Sequence, residues 1–176
     1  GTYVIDFCPT VSTVNQSASF GQTIQIPVFT TDIDPAAAPP VGILSAQFTF
    51  TSNDLVLSSL PADISAVAGN VAPGASVNIN TDTAGTVIVN VFNGGLPFTP
   101  DGLPTPDTVA VLSMKVIGST GSTSGLTLAS FNYDVPGAPP AVGTRCETIA
   151  PAGTLTIVAN PTTTTVTSSS PLNTSA

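Results

Sequence analysis

Histidine and tryptophan are absent from this chain, and cations are scarce: Lys115 and Arg145 stand against ten Asp and Glu. Only 7% of residues are charged, where about a quarter is usual. Each shortage removes a class of function. Without His there is no Ser-His-Asp triad, no His-ligated zinc or haem, and no imidazole base. With two cations, a phosphate backbone finds almost nothing to bind, so no nucleic-acid partner is expected. Apolar runs stop far short of the roughly 20 residues that cross a bilayer, so no membrane span is expected. Asn93-Gly94-Gly95 reads as a turn, since no Gly-Lys-Ser follows it. Calcium takes several carboxylates among its oxygens, and the pairs Asp32/Asp34 and Asp101/Asp107 read better as solvated loops. Glu147 and scattered Asp nominate no carboxylate pair for glycoside hydrolysis. No catalytic residue, metal or cofactor is expected.

What remains is a chain of 176 residues, the size of one domain, with 27 Thr, 18 Ser, 17 Pro and 15 Gly. A hydrophobic share of 41% supports a packed core and argues against disorder. The surface is therefore built from hydroxyls and amides, and low charge density favours association, opposed modestly by a net charge of −8. The chain begins at Gly1; with two cysteines and almost no Lys, this reads as a secreted, extracellular or cell-surface protein whose signal peptide is removed. Asn15-Gln16-Ser17 and Asn173-Thr174-Ser175 match the N-glycosylation pattern, so glycans at Asn15 and Asn173 are candidates. Cys8 and Cys146 are the only thiols. Bonded within one chain they close a loop of 139 residues, for which chain entropy gives roughly 5 kcal/mol. A bridge between subunits and two unrelated buried thiols stay open.

Alternation with period two dominates the pattern. Ile24, Ile26 and Val28 share one face; so do Ala46, Phe48 and Phe50 with Leu44, and Val87, Val89 and Val91. Ala110, Leu112, Met114 and Val116 oppose Val109, Val111, Ser113, Lys115 and Ile117. Leu126 to Leu128, Phe131 to Val135 and Leu155 to Val158 add short strands. Turn signals separate them: Asp34-Pro35, Pro39-Pro40, Pro73-Gly74, Asn93-Gly94-Gly95, Pro136-Gly137 and Pro139-Pro140. Ser59 to Ala68 reads as a turn of helix. Eight or nine short strands predict an all-β, antiparallel two-sheet sandwich of jelly-roll or immunoglobulin type.

The stretch Val14 to Val28 (VNQSASFGQTIQIPV) resembles the first strands of a cohesin domain, with a Gly-containing turn leading into an alternating strand. Val41 to Leu57 (VGILSAQFTFTSNDLVL) is similar to the following element, and Thr86 to Asn93, Val109 to Val116, Leu126 to Phe131 and Gly153 to Val158 follow in order. The likeness covers roughly residues 11 to 158 and implies a nine-stranded jelly roll. Cohesins bind dockerin modules in cellulose-degrading complexes through one sheet face. This chain departs from the family in its low charge, a Pro/Ala-rich insertion (Asp34 to Pro40), and Pro-rich loops at 97–106 and 136–140.

The organisation expected is an extended segment at 1–10, a sandwich at 11–159 and a Thr/Ser-rich extension at 160–176. Tyr3, Ile5 and Phe7 share a face of an alternating ribbon that includes Val4. It reads either as a first strand of its own sandwich or as a donor strand for the edge of a neighbouring copy. The tail, with Thr164 and Val166, reads as an O-glycosylated stalk or as a strand held by a sheet edge. The leading expectation is a structural subunit of an extracellular filament, pilus-like fibre or surface layer. Its partners are copies of itself, joined by strand exchange. The alternative is a cohesin-like binding module for a dockerin-like protein or a polysaccharide.

Overall fold

A computed structural model of the chain describes residues 9–31, 45–96, 98–99, 106–134 and 147–161. In chain order the strands are β1 (Thr10–Ser12), β2 (Gln16–Ser19), β3 (Thr23–Thr30), β4 (Ser45–Thr51), β5 (Ile64–Ala68), β6 (Ser76–Asn80), β7 (Thr86–Phe92), β8 (Thr108–Lys115), β9 (Thr123–Asp134), β10 (Thr148–Ile149) and β11 (Gly153–Val158), with a single 3₁₀ turn at Pro61–Asp63. They form a five-stranded sheet, β10-β1-β3-β8-β5, and a six-stranded sheet, β2-β11-β9-β4-β7-β6. The jelly-roll sandwich read from the sequence is what the strands build. Two pairings depart from an antiparallel plan: β1 with β10 and β11 with β2 run parallel, because strands from the two ends of the chain lie side by side.

Alternation sets which residues face inward. Ile24, Ile26, Val28, Leu112 and Met114 of the five-stranded sheet meet Phe48, Phe50, Val87, Val89, Val91, Leu155 and Ile157 of the six-stranded sheet in one buried cluster. Phe48, Phe50, Phe98 and Phe131 are among its largest fully buried side chains, each stabilising the fold by about 1.5–3 kcal/mol relative to exposure.

Leu126–Leu128 and Phe131–Val135 read as two separate strands, because their inward residues change parity. The structure joins them in β9. The register against β4 shifts between Thr49 and Phe50, where Ser130 and Leu128 are the successive partners and Ala129 is skipped. This bulge lets Leu126 and Leu128, then Phe131 and Tyr133, all point inward. The segment Ser59 to Ala68 is a 3₁₀ turn opened by Pro61 and then strand β5, not a helix. Its inward residue Ile64 is held opposite Met114 on β8. Strand β6 lies beyond the Pro73–Gly74 turn, where the sequence reading placed none; its half-buried Val77 and Ile79 pack against the core.

The chain crosses from the five- to the six-stranded sheet between β1 and β2. There the buried Thr13 hydroxyl donates to the Leu126 carbonyl (2.5 Å) and accepts from the Gly153 N–H (3.0 Å). A Cβ on Gly153 would stand 2.4 Å from the Val14 carbonyl oxygen, so only glycine fits this crossing.

Candidate functional site

Apart from the buried Ser124, the inward residues of β4, β6, β7 and β9 are hydrophobic, so pleating sends most of their polar residues to the outer face of the six-stranded sheet. Strand pairing then sets which of those residues become neighbours. Asn78 pairs with Asn90, Asn90 with Gln47, and Gln47 with Asn132. One amide side chain from each of four adjacent strands thus forms a row across the sheet. The Gln47 Nε2 donates to Asn90 Oδ1 at 2.7 Å, which links β4 to β7 on the solvent side.

Rows on either side complete the face. Asn80, Ile88, Thr49 and Ser130 are successive partners across the same strands, with the Ser130 hydroxyl bonded to Thr49 Oγ1 at 3.0 Å. On the other side Ser76 and Ser45 flank Phe92, which is 54% exposed. Among the described side chains of these four strands none is charged. Those described side chains offer directional hydrogen bonding beside an exposed apolar anchor at Phe92. This arrangement suits shape-specific docking and supplies no acid, base or nucleophile pair.

The outer face of the five-stranded sheet differs. Its middle row, Pro27, Val111 and Val67, is apolar. Beside it run Gln25, Ser113 and Ser65, then Thr23 and Lys115. Lys115 stands 3.8 Å from Asp63, which also accepts a 2.7 Å bond from the Ser58 hydroxyl. Among the described residues no cluster of acidic, His or Cys side chains could hold a metal ion.

The residues singled out from sequence fall differently. Tyr3, Val4, Ile5, Phe7, Thr164 and Val166, the donor-strand candidates, lie outside the described residues, as do Cys8, Cys146, Asn173, Asp32, Asp34 and Asp101. Asn15 is exposed between β1 and β2, and its Oδ1 accepts the Thr154 N–H at 2.8 Å. With Gln16, Ser17, Thr154 and Thr156 it borders a shallow polar depression. The amide row was missed in the sequence because its successive members are 12, 43 and 85 residues apart. The available signal was that Gln47 and Asn90 both fall on the polar side of an alternating strand.

No protein-family model matches the sequence, and no curated protein does. Solved structures match over most of the chain. The sixth cohesin of Acetivibrio cellulolyticus scaffoldin B, solved in complex with a Cel5 dockerin, is 20% identical with a TM-score of 0.59, covering 86% of this chain and 98% of its own. The Clostridium thermocellum Coh-OlpC module, in complex with Doc435, is 17% identical with a TM-score of 0.61, covering 91% and 99%. A non-cellulosomal cohesin from Archaeoglobus fulgidus is 16% identical with a TM-score of 0.58, covering 86% and 92%. The fold is thus that of a cohesin domain, as the resemblance implied. Neither these likenesses nor the described residues lend support to a filament built by strand exchange.

Proposed function

We propose that this chain is a non-catalytic, extracellular binding module that receives a folded protein partner of the dockerin kind on the outer face of its six-stranded sheet. The row Asn78–Asn90–Gln47–Asn132 carries the reading. An in-register line of amides beside an exposed Phe92 is a surface that hydrogen-bonds and anchors another surface. Two of the solved cohesins with this fold hold dockerins. A protein partner is favoured over a polysaccharide because, among the described residues of this face, Phe92 is the one exposed aromatic ring. A sugar platform needs more.

The test is calorimetric titration of the whole chain with a panel of purified dockerin modules. One-to-one binding is expected, weakened at least about tenfold by Phe92→Ala or Gln47→Ala, the size of loss at an interface centre. Melting temperature should stay within a few degrees of the parent. Absence of binding across the panel, or affinities indifferent to both substitutions, sinks the proposal. Uniform fibres in electron micrographs of concentrated protein would return the strand-exchange reading.

A further inference from the structure

Asn93 is the one asparagine in the chain that glycine follows. It stands just past the last rung of β7, where Phe92 pairs with Ser45 and Ser76. The turn beyond it is closed by the Leu96 N–H, which donates to the Asn93 carbonyl at 3.0 Å. Gly94 and Gly95 take its corner at φ of +62° and +83°, a left-handed conformation that other residues rarely adopt. Both glycines and Leu96 are exposed, and a Cβ on either glycine would meet nothing within 4 Å. The Gly94 peptide unit thus has room to turn toward the side chain that precedes it.

That room matters because an Asn side chain is a latent electrophile. When the Gly94 nitrogen attacks Asn93 Cγ, a C–N bond forms and the side-chain nitrogen leaves as ammonia, carrying away the Gly94 amide proton. The product is a five-membered succinimide. Water then adds to one of the two ring carbonyls and a ring C–N bond breaks. Opening on one side gives an aspartyl residue; opening on the other routes the main chain through the side-chain carbon, as isoaspartyl. Water is consumed, ammonia is released, and no electron changes hands.

Other described asparagines are placed differently. Asn78, Asn90 and Asn132 lie inside strands and precede Ile79, Val91 and Tyr133, whose bulk crowds the attacking nitrogen. The Asn70 side chain accepts the Thr108 N–H at 2.6 Å, and that of Asn53 accepts the Leu55 N–H at 3.0 Å. Those of Asn15 and Asn80 accept the Thr154 and Asp82 N–H groups at 2.8 and 2.9 Å. Asn160 precedes Pro161, whose nitrogen has no proton to give.

From this placement we infer that Asn93 is a site of spontaneous deamidation in the folded protein, passing through a succinimide to aspartyl and isoaspartyl forms. Each event adds one negative charge to a formal −8. The charge arises one residue from Phe92, beside a face whose described outward side chains carry none. The isoaspartyl form also lengthens the main chain by one carbon where β7 ends. Any effect on docking rests on the proposed partner face; the modification is read by mass and stands apart from it.

The test holds whole protein at neutral and at mildly alkaline pH, folded and in urea, and samples it over days. Brief chymotryptic cleavage after Phe92 and Phe98 releases 93–98, a peptide with no second asparagine. Expected from folded protein is a 93–98 peptide heavier by the difference between OH and NH2, in two isomers that electron-transfer fragmentation tells apart. It should appear before any other asparagine converts, and several-fold faster at alkaline pH, because the attacking nitrogen must lose its proton. Gly94→Ala should slow it several-fold. Asn93→Gln should show no conversion over the same days, since its ring would be the slower six-membered one. A folded sample whose 93–98 keeps its parent mass, whether or not the urea sample converts, overturns the inference. So does earlier conversion at another asparagine, or a Gly94→Ala rate equal to the parent's.

Discussion

The hydroxyl of Thr13 donates to the Leu126 carbonyl and accepts from the Gly153 N–H, so one buried side chain fixes where the chain changes sheets. Thr13→Val keeps the shape and removes both bonds, stranding a buried N–H and a carbonyl. A loss of about 1–3 kcal/mol is expected by urea denaturation. Gly153→Ala drives a Cβ against the Val14 backbone at 2.4 Å, where no flexible side chain can yield, so a loss of about 3 kcal/mol is expected in the same assay. On the outer face the contrast is deliberate. Asn90→Ala breaks one solvent-side bond to Gln47, and its stability cost should stay below about 1 kcal/mol, leaving partner affinity as the quantity that moves.

Among the elements, β9 depends on one skipped residue. With Ala129 in place, Leu126, Leu128, Phe131 and Tyr133 all face the core. Deleting Ala129 forces one half of the strand to turn its apolar set outward, since a slip by one residue inverts every side chain. Loss of cooperative thermal unfolding, followed by circular dichroism, is the expected result; a variant that melts as the parent does would show the bulge to be dispensable. The inward phases of β3, β4, β7 and β8 were legible in the sequence because Ile24, Phe48, Val89 and Leu112 each sit in unbroken alternation. Strand β9 was read as two because the bulge resets that alternation. Strand β5 was read as helix because Pro61 and short apolar spacing mimic a helix start, while the pairing of Ile64 with Met114 settles it as strand.

At the scale of the molecule, low charge becomes a property of recognition. The described outward side chains of four strands carry no charge, so docking on this face is expected to rest on hydrogen bonds and apolar contact. Binding of a partner there should change by less than about threefold between roughly 50 and 500 mM salt, as screening acts on charged pairs. A steep salt dependence in titrations would relocate the interface toward Lys115 and Asp63, the ion pair on the other sheet. Phe20, Leu55 and Leu60 are exposed, so self-association at high concentration is expected to rise as pH approaches the sequence pI of about 4.1 and net charge falls away. Light scattering across pH reads it directly.

By itself the sequence determined what this molecule is made of and which side of most strands is buried. Period-two alternation is a local property, and hydrophobic burial reads it without knowing any neighbour. It also excluded histidine chemistry, since a missing residue type stays missing in any fold. The amide row, the parallel register of β1 with β10 and the fit of Gly153 against Val14 were decided only in three dimensions. Each depends on which distant strands lie side by side, and no local stretch of sequence encodes that choice.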